Sequence, residues 1–117
     1  MVQKKFFILV QFTGNEWITS NVLMEFLKDF CYAYQNNLSI FGFSARNIYN
    51  SATIYIMPMV NPDGVDLVTG EILPNSTPYN SAKQISNNFP SIPFVDGWKS
   101  NIRGVDFKNF QPICKVL

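Results

Sequence analysis

The chain has 117 residues, of which 47% are apolar and 15% charged, and a net charge of +1. That is enough apolar chain for one small domain with a core, and too much for a disordered one. The near-neutral charge, without a basic stripe, argues against a nucleic-acid partner, and the lack of any histidine removes imidazole bases, Ser–His and Cys–His nucleophile systems and the commonest metal ligand.

Residues 1–10, MVQKKFFILV, have the two lysines and the apolar run of a signal peptide. The run is too short, however, and Gln11 follows without a small-residue cleavage site. Nor is any apolar run long enough to span a bilayer, and location is not fixed by the sequence. Residues 4–12 read instead as a strand, with the continuous run 6–10 buried on both faces, as in a parallel sheet covered by helices. Thr13, Gly14 and Asn15 form a turn. A helix follows over 16–35, with Val22, Leu23, Phe26, Leu27, Phe30, Cys31 and Tyr34 on its buried face and Glu25, Lys28 and Asp29 opposite. Cys31 is thus expected as a buried thiol. With Cys114 it makes two cysteines in all, too few for a disulfide framework.

A short amphipathic stretch lies at 44–49 and a second clear strand at 52–57, stopped by Pro58. Strand, helix and strand with a long connection make a βαβ unit, so the fold class is α/β with a mostly parallel, mixed sheet and one long packed helix. Beyond Asn61 lie six of the seven prolines. Asn61-Pro62-Asp63-Gly64 reads as a turn, and residues 66–71 as another. The stretch 61–104 is expected to be mostly irregular but packed through Trp98. With no repeat, low-complexity tract or boundary, residues 1–117 read as one domain.

Three loops, expected to meet at one sheet edge, carry the polar residues. Glu16 sits just past the first strand, where α/β sheets bind ligands, though a Glu there is also a favourable charge at a helix N-terminus. Asn61-Pro62-Asp63-Gly64 follows the second strand, and a turn accounts for all four residues. In the run 98–106, Lys99 and Arg103 can bind an anion or be solvated surface cations. Asp63, Asp66 and Asp106 lack the spacing of a calcium loop.

Three segments in this order resemble the zinc carboxypeptidase family, typified by carboxypeptidase A, and most of all its bacterial γ-D-glutamyl-diamino acid peptidases. They are GNEWIT at 14–19, IYIMPMVNPDGVDLVTG at 54–70 and GWKSNIRGVD at 97–106. The resemblance covers residues 4–112 and implies a partial zinc-carboxypeptidase fold, the central part of a longer peptidase domain. In the family, zinc is held by a His and a Glu in a His-x-x-Glu pattern and by a later His. It polarises the scissile carbonyl and acidifies a bound water. A Glu near the domain's end is the general base, and an Arg after the Trp of the third segment stabilises the oxyanion.

Carried over, the resemblance puts Thr13 at the first ligand position and Glu16 at the second. The oxyanion cation is Lys99, which directly follows Trp98, or Arg103, which supplies the guanidinium. Substrate contacts fall to Asn101 and Asn109, the latter one position beyond Lys108, which occupies the family's Asn site. The third ligand and the general base belong to a family segment that these residues do not include. The resemblance therefore implies peptide hydrolysis and a peptide or peptidoglycan stem-peptide partner, with this chain expected to be an inactive, truncated relative that does not hold zinc. Two alternatives stand beside it: part of a zinc peptidase completed by another chain or by the missing remainder of the domain, or a non-catalytic module that binds peptidoglycan peptides. Open sheet edges also predict marginal stability for the isolated chain.

Overall fold

Two strands set the frame. β1 (Lys4–Leu9) and β4 (Ala52–Met57) pair in parallel, with Lys4 against Ala52 and Leu9 against Met57. The computed structural model describes residues 4–107. The crossover between the strands holds α1 (Ile18–Gln35), the short strands β2 (Ser39–Ile40) and β3 (Phe43–Ser44), and α2 (Ala45–Ser51). β2 and β3 form a hairpin closed by Phe41 and Gly42, both at positive φ, the backbone that two-residue hairpins favour.

The sheet is less covered than the apolar run 6–10 predicts. Phe6 and Phe7 are 38% and 43% exposed, so β1 is not buried on both faces among the described residues. The physical reason lies in where the helices pack. Phe30 and Ala33 of α1 close on Ala45 of α2, with Phe26, Tyr34, Ile40 and Ile48 around them. The long helix thus spends its apolar face on the hairpin and α2. On the sheet, Phe7 stacks on Tyr55 with ring centroids 4.7 Å apart.

The same packing corrects the position of Cys31, which is exposed. The buried residues of α1 are Ser20, Leu23, Phe30 and Ala33. This stripe is narrower than the predicted one, because the hairpin and α2 are small, and it leaves Val22 65% exposed. The opposite face carries a solvent-facing pair, Lys28 Nζ to Glu25 Oε2 at 2.7 Å. The helix also starts later than predicted, at Ile18, so Glu16 lies in the turn before it.

Residues 61–104 are not mostly irregular. They contain α3 (Pro62–Thr69) and α4 (Thr77–Ser86). Asn61 caps α3, accepting from Gly64 N at 3.1 Å, Pro62 occupies its first turn, and Gly70 ends it at φ 88°. What reads as two tight turns is thus the start and stop of one helix: Pro suits a first turn because its missing N–H has no helical partner there, and Gly suits the left-handed end. Ser76 and Pro78 repeat the start signal at α4. A second core forms here from Leu67, Ala82 and Trp98, with Tyr79, Ile85, Phe94 and Ile102 against it.

Candidate functional site

The parallel pairing continues past the strands and delivers the site loops. Val10 N donates to Met57 O (3.2 Å), Val60 N to Val10 O (3.2 Å) and Asn61 N to Gln11 O (3.1 Å). The 13–16 turn and the start of α3 therefore leave the carboxyl end of the sheet side by side, the position at which α/β sheets present ligand sites. The 96–106 loop closes onto both. Gly14 N donates to Lys99 O at 3.2 Å, Asn15 Nδ2 to Asp96 O at 3.3 Å, and Ile102 N to Asp63 Oδ2 at 3.4 Å.

Two glycines make this approach possible. A Cβ on Gly14 would lie 2.6 Å from Gly64 O, and one on Gly64 would lie 2.5 Å from Ser100 O. Both are backbone oxygens, so no side-chain rotation relieves the clash. The side chain of Asn61, fully buried, sits between the three segments. Its Nδ2 donates to Phe12 O (3.1 Å) and Lys99 O (3.4 Å), while its Oδ1 accepts from Gly64 N.

The structure brings Thr13, Glu16, Lys99, Asn101 and Arg103 onto these joined loops. Thr13 is fully buried, and its Oγ1 has no hydrogen-bond partner among the described residues. Glu16 is half-buried, and its carbonyl accepts from Thr19 N and Thr19 Oγ1. Lys99 and Arg103 expose their side chains, and neither forms an ion pair among the described residues. Asn101 shapes the loop that carries Arg103: its Oδ1 accepts from Arg103 N (3.0 Å) and Val105 N (2.9 Å). Asn109, like Lys108 and Cys114, lies outside the described residues. Trp98 is core, edge-on to Phe94 at 5.9 Å, and beside it a groove of about 560 Å³ opens between Phe89, Ile92, Lys99 and Asp106.

Sequence reasoning misses two participants, Gln11 and Ser20, and gives Asp63 no tie to the 96–106 loop. Gln11, 2% exposed and at φ 59°, turns the chain from strand to site. The Ser20 hydroxyl lies in hydrogen-bond contact with Gln11 Oε1 and Pro58 O. Asp63 ties the start of α3 to Ile102. For Asn61 and Asp63 a signal exists: an Asn-Pro helix start with a Gly eight residues after the Pro. Nothing in a glutamine's identity announces a left-handed backbone.

The donors do not fit a catalytic zinc. Such a site takes three protein ligands, drawn from imidazole, carboxylate and thiolate. Here the turn offers a neutral hydroxyl and one carboxylate, and no group of three or more Cys, Asp or Glu is gathered among the described residues. No helix among them is long and apolar enough to cross a membrane.

Residues 2–112 match the family described as zinc carboxypeptidase. The chain is 42% identical over 112 residues to gamma-D-glutamyl-L-diamino acid endopeptidase 1 of Lysinibacillus sphaericus, covering 93% of this chain and 27% of that protein. It is 35% identical over 114 residues to the uncharacterized protein YqgT of Bacillus subtilis (strain 168), covering 97% of this chain and 30% of that one. The chain thus spans less than a third of the length of these relatives. No solved structure gives a significant match.

Proposed function

Because the chain belongs to the zinc carboxypeptidase family, we propose that residues 1–117 are the central part of one peptidase domain and that these residues alone neither hold zinc nor hydrolyse peptides. The observation that carries this reading is Thr13. It stands three residues before Glu16, where the family pattern has its first histidine, and its hydroxyl is fully buried. A neutral hydroxyl is a poor zinc ligand, and one carboxylate cannot polarise a carbonyl through a metal it does not retain.

What persists is the frame around a peptide. The exposed cations Lys99 and Arg103 can receive a peptide carboxylate, and Glu16 lies in the turn that these loops join. One relative's name gives the γ-D-glutamyl-L-diamino acid linkage, and we assign the same substrate class, a cell-wall stem peptide, as the ligand that this frame suits. Asn101 serves it by holding the Arg103 loop.

The test is a hydrolysis assay of the 117-residue polypeptide on a γ-D-glutamyl-diaminopimelate peptide with added zinc. No turnover is predicted, either for the natural sequence or for Thr13→His, since one new imidazole beside Glu16 still leaves the ligand set short. Measurable hydrolysis by either protein would refute the proposal.

A second reading has its own support. Phe6, Phe7, Tyr55 and Met57 on the sheet are each 38–49% exposed, which suits a surface covered in a larger assembly. On that reading the segment is one part of a zinc peptidase completed by residues outside these 117. Its mark is turnover that appears only when a second polypeptide carrying the remaining ligands is added.

A further inference from the structure

We infer that Asn61 is a positioning residue: its side-chain amide locks the Glu16 turn to the Lys99–Arg103 loop, so that the two halves of the site hold one geometry. The inference rests on the reading that these loops form one site, but its test involves neither zinc nor peptide. The helix cap alone does not explain the residue. Capping needs an acceptor toward the first turn, and Asn61 Oδ1 supplies it to Gly64 N at 3.1 Å. Ser and Asp cap equally well. What they lack is a two-proton donor on the same side chain. Asn61 Nδ2 spends its protons on Phe12 O, immediately before Thr13, and on Lys99 O, at the head of the other loop. Lys99 O is shared with Gly14 N, so one carbonyl joins both halves.

The burial of Asn61 is complete, so water cannot replace a lost bond without opening the joint. The glycine approaches described above leave the backbones in contact, and a small displacement of one loop moves the other. Asp63 adds a second tie, accepting from Ile102 N, but it reaches only the far part of the loop. The direct link between the Glu16 turn and Lys99 runs through Asn61 and Gly14.

Asn61→Ser separates the two roles, since serine keeps the cap and loses the bridge. Amide hydrogen exchange by NMR is the measurement. The variant is predicted to speed exchange at Gly14 by about tenfold or more and to shift the Trp98 indole resonance. Exchange at Val10 and in the body of α3 should rise by a clearly smaller factor than at Gly14, because the joint opens locally at a lower free energy than the whole chain unfolds. Asn61→Ala, which loses cap and bridge together, should raise exchange at Gly14 at least as far, with Gly64 N still held by Asp63 Oδ1 at 2.8 Å. A uniform change across all amides in Asn61→Ser, or unchanged protection at Gly14 with an unmoved Trp98 resonance, would overturn the assignment.

Discussion

At the scale of single residues, the joint makes glycine the telling position. Replacing a helical Gly by Ala is ordinarily worth up to about 1 kcal/mol of stability. Gly64, inside α3, should show the opposite sign, because its Cβ would press on Ser100 O at 2.5 Å. Overpacking of this kind costs about 1–3 kcal/mol. Urea unfolding of Gly64→Ala should therefore show a net loss, and a gain would mean that the 98–106 loop is not seated as described. Cys31 gives a second residue-level prediction. In a Cys114→Ser background its exposed thiol should react with a small disulfide reagent in the native state about as fast as after unfolding, within roughly threefold. Strong protection would restore the buried placement that the helical period suggests.

The residue scale is also where the sequence is hardest to read. Cys31 lies about 100° round the helix from Phe30, at the edge of the predicted apolar face, and the narrow cover of α2 and the hairpin leaves it outside. Gln11 takes its positive φ from the way the chain leaves the sheet, a tertiary demand that no local propensity encodes. That Thr13 and Glu16 stand just past a strand end is, by contrast, legible from the local pattern of strand, turn and helix, whereas their ligand positions come only from the family resemblance.

Among the elements, β4 falls where its β-branched and aromatic residues put it, and the bounds of α1 differ only at its first turn. α3 and α4 escape a reading that treats every Pro and Gly as a breaker. Pro62 and Pro78 stand near helix starts and Gly70 just past a helix end, where each residue's backbone preference favours the helix. The caps can be weighed. Ser76→Ala removes the acceptor for Tyr79 N and should cost about 1 kcal/mol. Asn61→Ala should cost more, about 2–4 kcal/mol, since it leaves the part-buried carbonyl of Phe12 without its Asn61 donor and takes one of two donors from Lys99 O, as well as removing the cap. Chemical denaturation of the two variants side by side checks the order. Equal losses would reduce Asn61 to an ordinary cap.

For the molecule as a whole, the balance of surface is the main fact. The chain exposes 8453 Å², where a folded monomer of its mass exposes roughly 6,500 Å². Among the described residues the buried apolar side chains fall into two separate clusters, and the parallel sheet has two strands, where parallel sheets are ordinarily covered on both faces. The described residues leave Phe6, Phe7 and Met57 in contact with solvent. The isolated polypeptide should therefore associate as its concentration rises, visible as a growing mean mass in light scattering. A strictly monomeric protein with a sharp, reversible unfolding transition would contradict this. The whole-molecule character is only partly visible in the sequence: the apolar excess is plain, whereas its distribution over two separate cores depends on contacts far apart in the chain.

The central claim is that the family frame is present without its metal site, because a buried threonine stands where the first ligand belongs. Equilibrium dialysis of the 117-residue polypeptide against zinc tests it most directly. The account predicts no stoichiometric zinc at micromolar free metal, with Glu16→Gln indistinguishable from the natural sequence. One tightly held zinc per chain, lost in Glu16→Gln, would contradict it.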